Sequence, residues 1–524
     1  MDHVPTKPSE RDLGLRARRI AVLVLSLGLL GSLLLLELRE ILRLRRSATP
    51  GVVALVVPAR SRRCVECHLQ QNPGLVEPWR ASRHAEQGVG CVDCHSAAFW
   101  RADSYEHYGE RLVTMVTPRD CGRCHAAEAN DFVHSSHARA AQIEGSALAA
   151  LATNVTGPAA GAVGCAPCHG SSVTLLGTAG ERIGLEDLKP DADGKPTSRD
   201  AASRVARDAD GFPRIAPDTW PNAGVGRRNL DGSLGACSSC HARHDFSRGR
   251  ARRAEACVAC HRGADQPEHE IVEASKHGAA TRELAARLGL DGPSWVLGRD
   301  YSVAPTCATC HFSGHVGNGG AITHQPELRL SWSFRGPTSL RRDTDASGGL
   351  VRETAPEQRR AATVDGWQDK RQRMRGVCLE CHAARAVDGT YQQLDAMIAL
   401  YDQKLGQPTE DIMEALREHG LRTERLFDEP IEWIWFDLWH RAGRRARLGA
   451  AMMSPDDAGS QGMGRAAERF YATLLPEARS ITREAARAGK QDEAAAVDTV
   501  IDGILGRPEH AWRGPPGAST APSK

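Results

Sequence analysis

Eight copies of the pattern Cys-x-x-Cys-His lie between residues 64 and 382, and together they use all 16 cysteines of the 524-residue chain. Two thiols at this spacing can each add to a vinyl group of one heme, and the adjacent histidine can then bind the iron as its proximal ligand. The motifs are Cys64/Cys67/His68, Cys91/Cys94/His95, Cys121/Cys124/His125, Cys165/Cys168/His169, Cys237/Cys240/His241, Cys257/Cys260/His261, Cys307/Cys310/His311 and Cys378/Cys381/His382. The sequence therefore predicts eight covalently bound c-type hemes.

Other uses of paired cysteines explain this pattern less well. Cys-x-x-Cys pairs also build zinc sites and thioredoxin-like redox sites, but neither accounts for a histidine after every pair. An even number of cysteines in an exported protein would ordinarily indicate disulfides, yet here every pair has the spacing of a heme motif. We therefore interpret all of the cysteines as heme-attachment residues.

The remaining histidines decide whether each iron only passes electrons or also binds a small molecule. Ten of them lie near the motifs or in the first part of the region that follows, and we predict that they supply distal iron ligands: His84, His107, His134, His137, His244, His269, His277, His315, His324 and His440. His419 and His510 are expected on the surface. Seven irons with two histidine ligands each and one iron with an open position would fit this number of histidines.

The composition is that of a soluble globular protein, with 25% charged and 41% hydrophobic residues. The formal net charge is only +2, so the composition gives no case for nucleic acid or a polyanionic substrate as a partner. Aromatic residues make up 5% of the chain, which is little for a core of this size. The porphyrin rings of the hemes would fill the rest of the core.

The amino terminus carries a membrane-targeting pattern. Arg16, Arg18 and Arg19 precede an uncharged apolar run over residues 20–36, which is longer than a usual signal-peptide core and just long enough to span a bilayer. We predict a cytoplasmic stub and an uncleaved membrane anchor over residues 1–46, with a cleaved signal peptide as the alternative. Because c-type hemes are attached outside the cytoplasmic membrane, the rest of the chain is expected on the periplasmic side.

The expected fold is mostly α, a multiheme cytochrome c fold with a covalent octaheme core, a C-terminal helical bundle and little β structure. We expect a linker over residues 47–62, an octaheme domain over 63–385, a helical region over 386–512 and a disordered tail over 513–524.

Apolar residues at helical spacing predict helices after the last motif. The predicted helices cover residues 391–405, 409–419, 431–448 and 464–489. Gly420 is a helix stop and Pro430 a first helical residue in this scheme. Two stretches rich in Asp, Gly and Pro, residues 188–235 and 341–366, have the composition of long surface excursions.

The fourth motif lies in the run A-V-G-C-A-P-C-H-G-S over residues 162–171, and this run resembles the catalytic heme site of the hydroxylamine oxidoreductase family of octaheme cytochromes. The likeness extends over about residues 62–485. Its further matches are Arg243–Ser247, Glu273–Gly278, Phe427–Phe436, Leu438–His440, Gly443–Arg447 and Ala450–Met453.

The resemblance implies a mostly helical fold around a packed chain of hemes, often assembled as a homotrimer. It also implies seven bis-histidine hemes and an open catalytic heme bound by His169.

The chain departs from the family pattern at two places. Oxidative members of the family have a tyrosine in the run M-M-G-P-D-Y, which bonds covalently to the catalytic heme of a neighbouring subunit, whereas this chain reads M-M-S-P-D-D and has Asp457 there. After the sixth motif the family typically has G-P-D-H-P, whose Asp-His pair lines the distal pocket. This chain keeps the acid as Asp265 but has Gln266 in place of the histidine. His269, one helical turn further on, is expected to substitute in part.

These departures favour a reductase. Without the crosslink, the heme at His169 is expected to donate electrons to bound nitrite, nitric oxide or hydroxylamine, with Asp265, Gln266 and His269 in the pocket and Asp265 delivering protons. A quinol-linked membrane protein or a cytochrome c would supply the electrons. Two alternatives remain open at this point: a non-catalytic electron conduit, and an oxidative enzyme acting on hydroxylamine or hydrazine.

Overall fold

Short helices built around the heme motifs dominate the first two thirds of the chain. The computed structural model describes residues 57–142, 147–346, 348–352 and 355–513, together with four isolated positions between 31 and 39. The predicted stub, most of the apolar run, the linker up to residue 56 and the tail beyond residue 513 lie outside the described residues. In the part of the chain that the structure describes, no helix is long and apolar enough to cross a membrane.

The motif-bearing region is helical but finely divided. Its α-helices are Arg62–Gln71, Pro73–Arg80, Arg83–Glu86, Cys91–His95, Pro118–Gly122, Ala126–Val133, Ala147–Ala150, Pro158–Ala160, Ala166–His169, Leu185–Leu188, Arg199–Ser203, Arg248–Arg252, Glu255–Val258, Glu268–Ala274, Lys276–Glu283, Cys307–His311, Pro356–Ala362 and Trp367–Leu379. The 3-10 turns of the described chain are Ala59–Ser61, Cys237–Ser239, Ala285–Arg287, Val316–Asn318, Pro326–Arg329 and Pro508–Arg513. Such short helices bury little surface of their own, so the packing depends on what lies between them.

Local capping positions the motifs. Before the third motif, the backbone N–H of Thr117 donates to Asp120 at 2.9 Å, and Pro118 occupies the first helical turn, where its missing N–H costs no hydrogen bond. The Thr117 hydroxyl donates to Asp231 at 2.7 Å, and Arg101 lies 3.6 Å from the same carboxylate. The start of the third motif is therefore tied to a buried ion network.

The region after the last motif is a helical bundle, as predicted. Its α-helices are Ala384–Tyr401, Gln407–Glu418, Pro430–Phe436, Arg444–Ala451, Pro455–Ala458, Arg465–Arg469, Leu475–Arg487 and Gln491–Leu505. Pro430 opens its helix and Gly420, with φ of 62°, follows the end of another. The last helix was not predicted, although it contributes Val497 and Ile501 to the largest hydrophobic core.

Six π-helical turns occur in the described chain, and several interrupt the predicted helices. They are Leu151–Val155, Gly161–Cys165, Asp402–Gly406, Asp437–Gly443, Gly459–Gly464 and Phe470–Leu474. A π-turn adds one residue to a helix and is often found at functional sites. Two of these turns carry candidate site residues, since one ends at Cys165 and another contains His440.

The β structure of the described residues is limited to three short antiparallel hairpins. They pair Ser104–His107 with Glu110–Val113, Leu175–Leu176 with Arg182–Ile183, and Trp332–Ser333 with Leu340–Arg341. We call the last of these the 332–341 hairpin. The mostly α fold with little β structure is confirmed.

The two predicted surface excursions are wrong. Leu188, Val205 and Leu230 belong to a buried hydrophobic cluster, and Arg227 is only 2% exposed. In the second stretch Arg342 is buried as well. Glycine and proline indicate where the chain turns, but they do not show whether those turns fold back onto the core.

Arg447 joins the helical bundle to the 332–341 hairpin. Its side chain is fully buried, its Nη1 donates to the carbonyl of Gly336 at 3.2 Å, and its Nε donates to the carbonyl of Gly443 at 3.0 Å. The guanidinium also lies 4.4 Å from the ring centre of Tyr401. Buried carbonyls depend on such donors because water does not reach them.

Replacing Arg447 with methionine is expected to lower the free energy of unfolding by about 2 kcal/mol, because two buried carbonyls lose their donor. The matched control is Arg465→Met, which removes an exposed i,i+3 ion pair with Glu468 and should change stability by less than about 0.5 kcal/mol. Denaturant unfolding followed by far-UV circular dichroism measures both. Equal midpoints for the two variants would contradict the proposed role of Arg447.

Candidate heme and catalytic sites

Four proximal histidines each face a predicted distal histidine across a gap. The ring centres are 6.2 Å apart for His68 and His107, 6.1 Å for His125 and His84, 6.1 Å for His261 and His137, and 5.9 Å for His382 and His277. A metal–imidazole bond is about 2 Å long and the ring centre lies about 1 Å beyond the nitrogen, so two axial imidazoles on one iron stand about 6 Å apart. The four gaps have the width that a heme iron requires.

Two further pairs are close enough to influence one another electrostatically. Burial lowers the pKa of His244, and the charge of His95 acts in the same direction. Burial likewise lowers the pKa of His241, with His324 as the next cause. Six of the proximal histidines therefore have a histidine neighbour of the kind that the sequence predicts.

Hydrogen bonds at Nδ1 orient several of these rings. Nδ1 of His95 donates to the carbonyl of Val113 at 3.0 Å, Nδ1 of His169 donates to the carbonyl of Ala140 at 3.1 Å, and Nδ1 of His68 donates to the side chain of Asn72 at 3.1 Å. Such a bond fixes the tautomer and leaves Nε2 free for a metal. With the width of the gaps, this orientation fits an iron held between two histidines.

Thiols from different motifs lie close to one another. The strongest mutual influence on thiol pKa values joins motifs one and two through Cys64 and Cys91, three and five through Cys121 and Cys237, six and seven through Cys257 and Cys307, and four and six through Cys168 and Cys260. Other motifs approach closely enough to interact electrostatically, two and three through Cys94 and Cys121, five and six through Cys240 and Cys257, and seven and eight through Cys310 and Cys378. The motifs therefore form one connected series, in which the fourth meets the sixth.

Three of the predicted heme-attachment thiols take no part in these contacts. Cys67 of the first motif and Cys165 of the fourth are half-buried, and Cys124 of the third is exposed. Each of these three motifs joins the series through its other cysteine, which is Cys64, Cys168 or Cys121. Heme attachment at all of the cysteines stays a prediction from the spacing of the motifs.

The backbone around the end of the fourth motif is tightly packed. The helix Ala166–His169 ends at Gly170, whose φ is 81°. A Cβ on Gly170 would lie 2.4 Å from the backbone nitrogen of Arg227, and a Cβ on Gly224 would lie 2.1 Å from the nitrogen of Gly170. Glycine is needed at both positions because two backbone segments touch there. This contact fixes the direction in which the chain leaves His169.

A polar cluster lies beside the fourth motif. Nε2 of His440 is 3.7 Å from a carboxylate oxygen of Asp265, and Nε of Arg441 donates to the same oxygen at 3.2 Å. Asp265 also contributes to raising the pKa of Cys165, after burial and Cys168. The thiol of Cys168 in the fourth motif donates to the carbonyl of Ala259 in the sixth at 3.9 Å, so the loop that follows the sixth motif and carries Asp265 adjoins the fourth. We call Asp265, Gln266, His440, Arg441 and Arg444 the Asp265 cluster.

Arg444 organises the loop that carries Asp265. Its Nη1 donates to the carbonyl of Asp265 at 3.1 Å and its Nη2 donates to the side chain of Gln266 at 2.7 Å. Glu268 lies 3.1 Å from the same guanidinium. Gln266 thus faces Arg444 and holds the loop, which a histidine at this position would do less well because it offers no amide oxygen.

His269 does not join this cluster in the described chain. Pro267 precedes the helix Glu268–Ala274, and Nε2 of His269 lies along that helix, 3.4 Å from Glu273. Within the described residues no side-chain hydrogen bond or ion pair joins the His269 ring to Asp265, Gln266, His440, Arg441 or Arg444. The sequence-based expectation that His269 replaces the missing pocket histidine therefore finds no support in the geometry.

Three other predicted distal ligands face no proximal histidine in the part of the chain that is described. Nδ1 of His134 donates to the carbonyl of Asn130 at 2.7 Å, and Nδ1 of His315 donates to Glu380 at 2.9 Å. His440 has two buried ring nitrogens without a hydrogen-bond partner. Among the proximal histidines of the described residues, His169 has neither a facing ring nor an electrostatic pair with a predicted distal histidine, while His311 interacts electrostatically with His137, the ring that already faces His261.

Comparison with known proteins identifies the type of molecule. A family model described as seven times multi-haem cytochrome CxxCH matches residues 232–430, and the cytochrome c554 and c-prime model matches residues 51–96. A solved hypothetical multiheme protein is 24% identical, with a TM-score of 0.65 over 84% of this chain and 100% of that one. A solved reducing HAO-like complex of Kuenenia stuttgartiensis, where HAO stands for hydroxylamine oxidoreductase, is 18% identical, with a TM-score of 0.54 over 82% of this chain and 87% of that one.

Over residues 232–430 the chain is similar to multiheme c-type cytochromes, and its fold is that of the hydroxylamine oxidoreductase-like multiheme proteins. A probable nitrite reductase-hydroxylamine oxidoreductase fusion protein of Kuenenia stuttgartiensis is 22% identical over 397 residues, which are 65% of this cytochrome and 36% of the relative. The cytochrome thus spans about a third of the length of that curated relative.

The resemblance places Asp457 where the oxidative members of the family have a tyrosine, and the Asp457 side chain is bound within its own chain. It is 3% exposed, it accepts from Nε of Arg445 at 2.6 Å and from the hydroxyl of Ser454 at 2.5 Å. A Cβ on Gly449 would lie 2.4 Å from the nitrogen of Ala458. The segment is therefore packed against its own helix.

Sequence reasoning missed three residues of the site and misplaced one histidine. Arg441, Arg444 and Glu268 were given no role, although a signal existed: basic residues follow His440 at helical spacing, and acidic residues follow the sixth motif. His510 was expected on the surface, but it is 1% exposed and hydrogen-bonds the hydroxyl of Tyr471 at 2.8 Å. A single residue near the end of a chain gives no pattern from which its burial can be read.

Replacing His107 with alanine is expected to open the iron bound by His68 and add one high-spin ferric heme per chain, because the ring that faces His68 is lost. Low-temperature EPR of the oxidised, heme-loaded cytochrome counts that signal. The control is His419→Ala, which removes a histidine that faces no motif. An unchanged low-spin spectrum in the His107 variant would contradict the pairing.

Proposed function

We propose that this cytochrome carries eight hemes c, seven of them with two histidine ligands, and reduces a small nitrogen oxide at an open iron bound by His169. The candidate substrates are nitrite, nitric oxide and hydroxylamine. The observation that carries the proposal is the position of the Asp265 cluster: proton-donating and anion-binding side chains stand beside the fourth motif, where no described imidazole faces His169.

The side chains of the cluster can do what such a reduction needs. The heme iron, when present, binds the nitrogen compound and supplies electrons. Breaking nitrogen–oxygen bonds consumes protons, and Asp265, whose side chain is 49% exposed, can exchange them with solvent. Arg441 holds the Asp265 carboxylate in place.

His440 provides a neutral group on the inner side of Asp265. Burial lowers the pKa of His440 to about 4, and the positive charge of Arg444 acts in the same direction. The ring is therefore uncharged at neutral pH and can accept a hydrogen bond at one nitrogen while it donates from the other. A buried neutral histidine beside an accessible carboxylate is a suitable arrangement for passing a proton inward.

The reductive direction is supported by Asp457. In the oxidative members of the family a tyrosine at this position reaches the heme of a neighbouring subunit, whereas the Asp457 carboxylate is held by Arg445 and Ser454 of its own chain. A heme without that crosslink is suited to donating electrons to its ligand. A homotrimer would then have to form through surface contacts alone.

The connected thiols suggest how electrons reach the site. The fourth motif meets the rest of the series at the sixth, so the heme at His261 would pass electrons to the heme at His169. The donor would be a quinol-linked membrane protein or a cytochrome c on the periplasmic side of the membrane, to which the apolar run over residues 20–36 would anchor the chain. The similar Kuenenia stuttgartiensis complex is described as reducing, which agrees with this direction.

A non-catalytic electron conduit is the second candidate, and the state of His440 favours it. Both ring nitrogens are buried without a protein partner, so the ring has a free nitrogen that could close an iron position. In that case all eight hemes would be low-spin and would not respond to nitrite.

Asp265→Asn is expected to lower kcat for nitrite or hydroxylamine reduction by about 100-fold, the usual loss when a positioned proton donor is removed. Turnover with a chemical reductant measures the effect, and ligand-induced changes in the EPR spectrum should persist because the iron is untouched. Asp456→Asn, an exposed acid in the crosslink-equivalent segment, is the control. Equal kcat for the two variants would contradict the role of Asp265.

His440→Ala separates the two candidate functions. In the reductase, one high-spin heme is present in the unmodified cytochrome and the substitution leaves the spin count unchanged. In the conduit, the unmodified cytochrome is entirely low-spin and the substitution creates a high-spin heme. Low-temperature EPR before and after adding nitrite distinguishes these outcomes.

A further inference from the structure

The loop that follows the sixth motif folds back so that Glu268 lies beside His261. The backbone N–H of His269 donates to the carbonyl of His261 at 3.0 Å, and the backbone N–H of Gly263 donates to the side chain of Glu270 at 2.9 Å. Gly263 has φ of 90°, a conformation that favours glycine. These contacts close the loop onto the start of the helix that begins at Glu268, and Oε2 of Glu268 lies 3.5 Å from Nδ1 of His261.

The two facing atoms have no hydrogen-bond partner in the part of the chain that the structure describes. Nδ1 of His261 and Oε2 of Glu268 are both buried, and neither makes a hydrogen bond. Buried polar atoms are rarely left without a partner, because water does not reach them. A shift of about half an ångström would bring these two atoms to hydrogen-bond distance. The pair is therefore placed to form a bond with each other.

An iron at His261 would decide which of the two atoms donates. His261 is the predicted proximal ligand of the sixth motif, and a metal on its Nε2 leaves the ring proton on Nδ1. Nδ1 then has to donate, and Oε2 of Glu268 is the acceptor that faces it. The other carboxylate oxygen of Glu268 lies 3.1 Å from Nη2 of Arg444. Because this ion pair keeps the carboxylate charged, the imidazole would donate to an anion.

Three other proximal histidines donate to neutral acceptors. Nδ1 of His68 donates to a side-chain amide oxygen, and Nδ1 of His95 and of His169 donates to a backbone carbonyl. A carboxylate accepts more strongly than a neutral oxygen and makes the imidazole a more basic ligand. A more basic ligand stabilises ferric iron relative to ferrous iron, since ferric iron carries one more positive charge. An anionic acceptor therefore lowers the reduction potential of its heme.

We propose that Glu268 is a positioning residue that acts through His261 and lowers the reduction potential of the heme attached at Cys257 and Cys260. The heme at His169 has a neutral acceptor at its own proximal ring, so its potential is not lowered in this way. Electrons would then pass downhill from the heme of the sixth motif to that of the fourth. This direction rests on the proposed electron path between the two hemes, whereas the effect on the potential requires only that His261 binds an iron.

Arg444 links Glu268 to the loop of the Asp265 cluster. The guanidinium that pairs with Glu268 also donates to the carbonyl of Asp265 at 3.1 Å and to the side chain of Gln266 at 2.7 Å. A carboxylate shared with a cation attracts the Nδ1 proton less, so Arg444 weakens the effect of Glu268 on the heme. Removing Glu268 and removing Arg444 should therefore shift the potential in opposite directions.

The test is a redox titration of the heme-loaded cytochrome, followed by EPR at the separate signals of its low-spin hemes. In Glu268→Gln one wave should move to higher potential, and the ratio of oxidised to reduced heme at a fixed potential should fall about tenfold, which is about 59 mV for a one-electron couple. In Arg444→Gln the same wave should move to lower potential. Glu268→Asp keeps the charge and should move the wave less than Glu268→Gln does.

Glu273→Gln is the matched control, because Glu273 lies on the same helix but its side chain is 51% exposed and salt screens its charge. A Glu268→Gln titration that coincides with this control would overturn the assignment. A shift in the same direction in Glu268→Gln and Arg444→Gln would overturn it too, because it would indicate a general loosening of the loop. If Glu268→Gln does not incorporate hemes, the Arg444→Gln titration carries the test, and an unmoved wave there overturns the assignment.

The result does not depend on nitrite reduction. A shifted wave in a cytochrome that does not reduce nitrite supports the role of Glu268 and contradicts the proposed reductase. Unshifted waves in a cytochrome that reduces nitrite overturn the role of Glu268 and leave the reductase in place.

Discussion

Two imidazoles can share one iron only when their rings stand about 6 Å apart with free nitrogens facing each other, and the rest of this chain is arranged to maintain that spacing. The proximal histidine of each pair is fixed by the motif itself, because it directly follows the second cysteine. Its partner is not, because His84, His107, His137 and His277 come from other helices, from loops and from a hairpin strand. The Nδ1 hydrogen bonds restrict the orientation of individual histidine rings. The short helices and the capping at Thr117 restrict the position of the motifs that carry those rings.

The division of the chain follows from this constraint. Where hemes fill the interior, the protein needs no continuous hydrophobic core, and its helices there are short. Where the motifs end, side chains must fill the space themselves, and the helices lengthen into a bundle around Tyr401, Phe470 and Ile501. The 332–341 hairpin lies between these two parts of the chain, and it is joined to the bundle by Arg341, which lies near Asp395, and by Arg447, which donates to Gly336.

The sequence predicted well those features of the structure that come from repeated motifs or from apolar residues at helical spacing. The heme motifs, the mostly α fold and most helices of the bundle follow from spacing alone. It predicted poorly those features that depend on how the chain folds back onto itself. Residues 188–235 were expected at the surface, because turn residues do not show how the segments between them pack. The Asp265 cluster is of the same kind, since Asp265 and His440 are far apart in sequence and meet only through the tertiary fold. The π-turn that carries His440 also shifts the helix by one residue, which no apolar periodicity would reveal.

The interleaving of the motifs has a consequence for the assembly of the protein. The third motif lies close to the fifth and the fourth lies close to the sixth, so neither the third nor the fourth motif can complete its contacts before later parts of the chain are present. The fourth motif in particular lacks its neighbour until residue 260 has been synthesised. Contacts of long sequence separation form slowly, and a chain that exposes them in the meantime is prone to misfold. Heme attachment to the still unfolded chain would be an advantage here, because each motif would already carry its bulky apolar group when the contacts between distant segments begin to form.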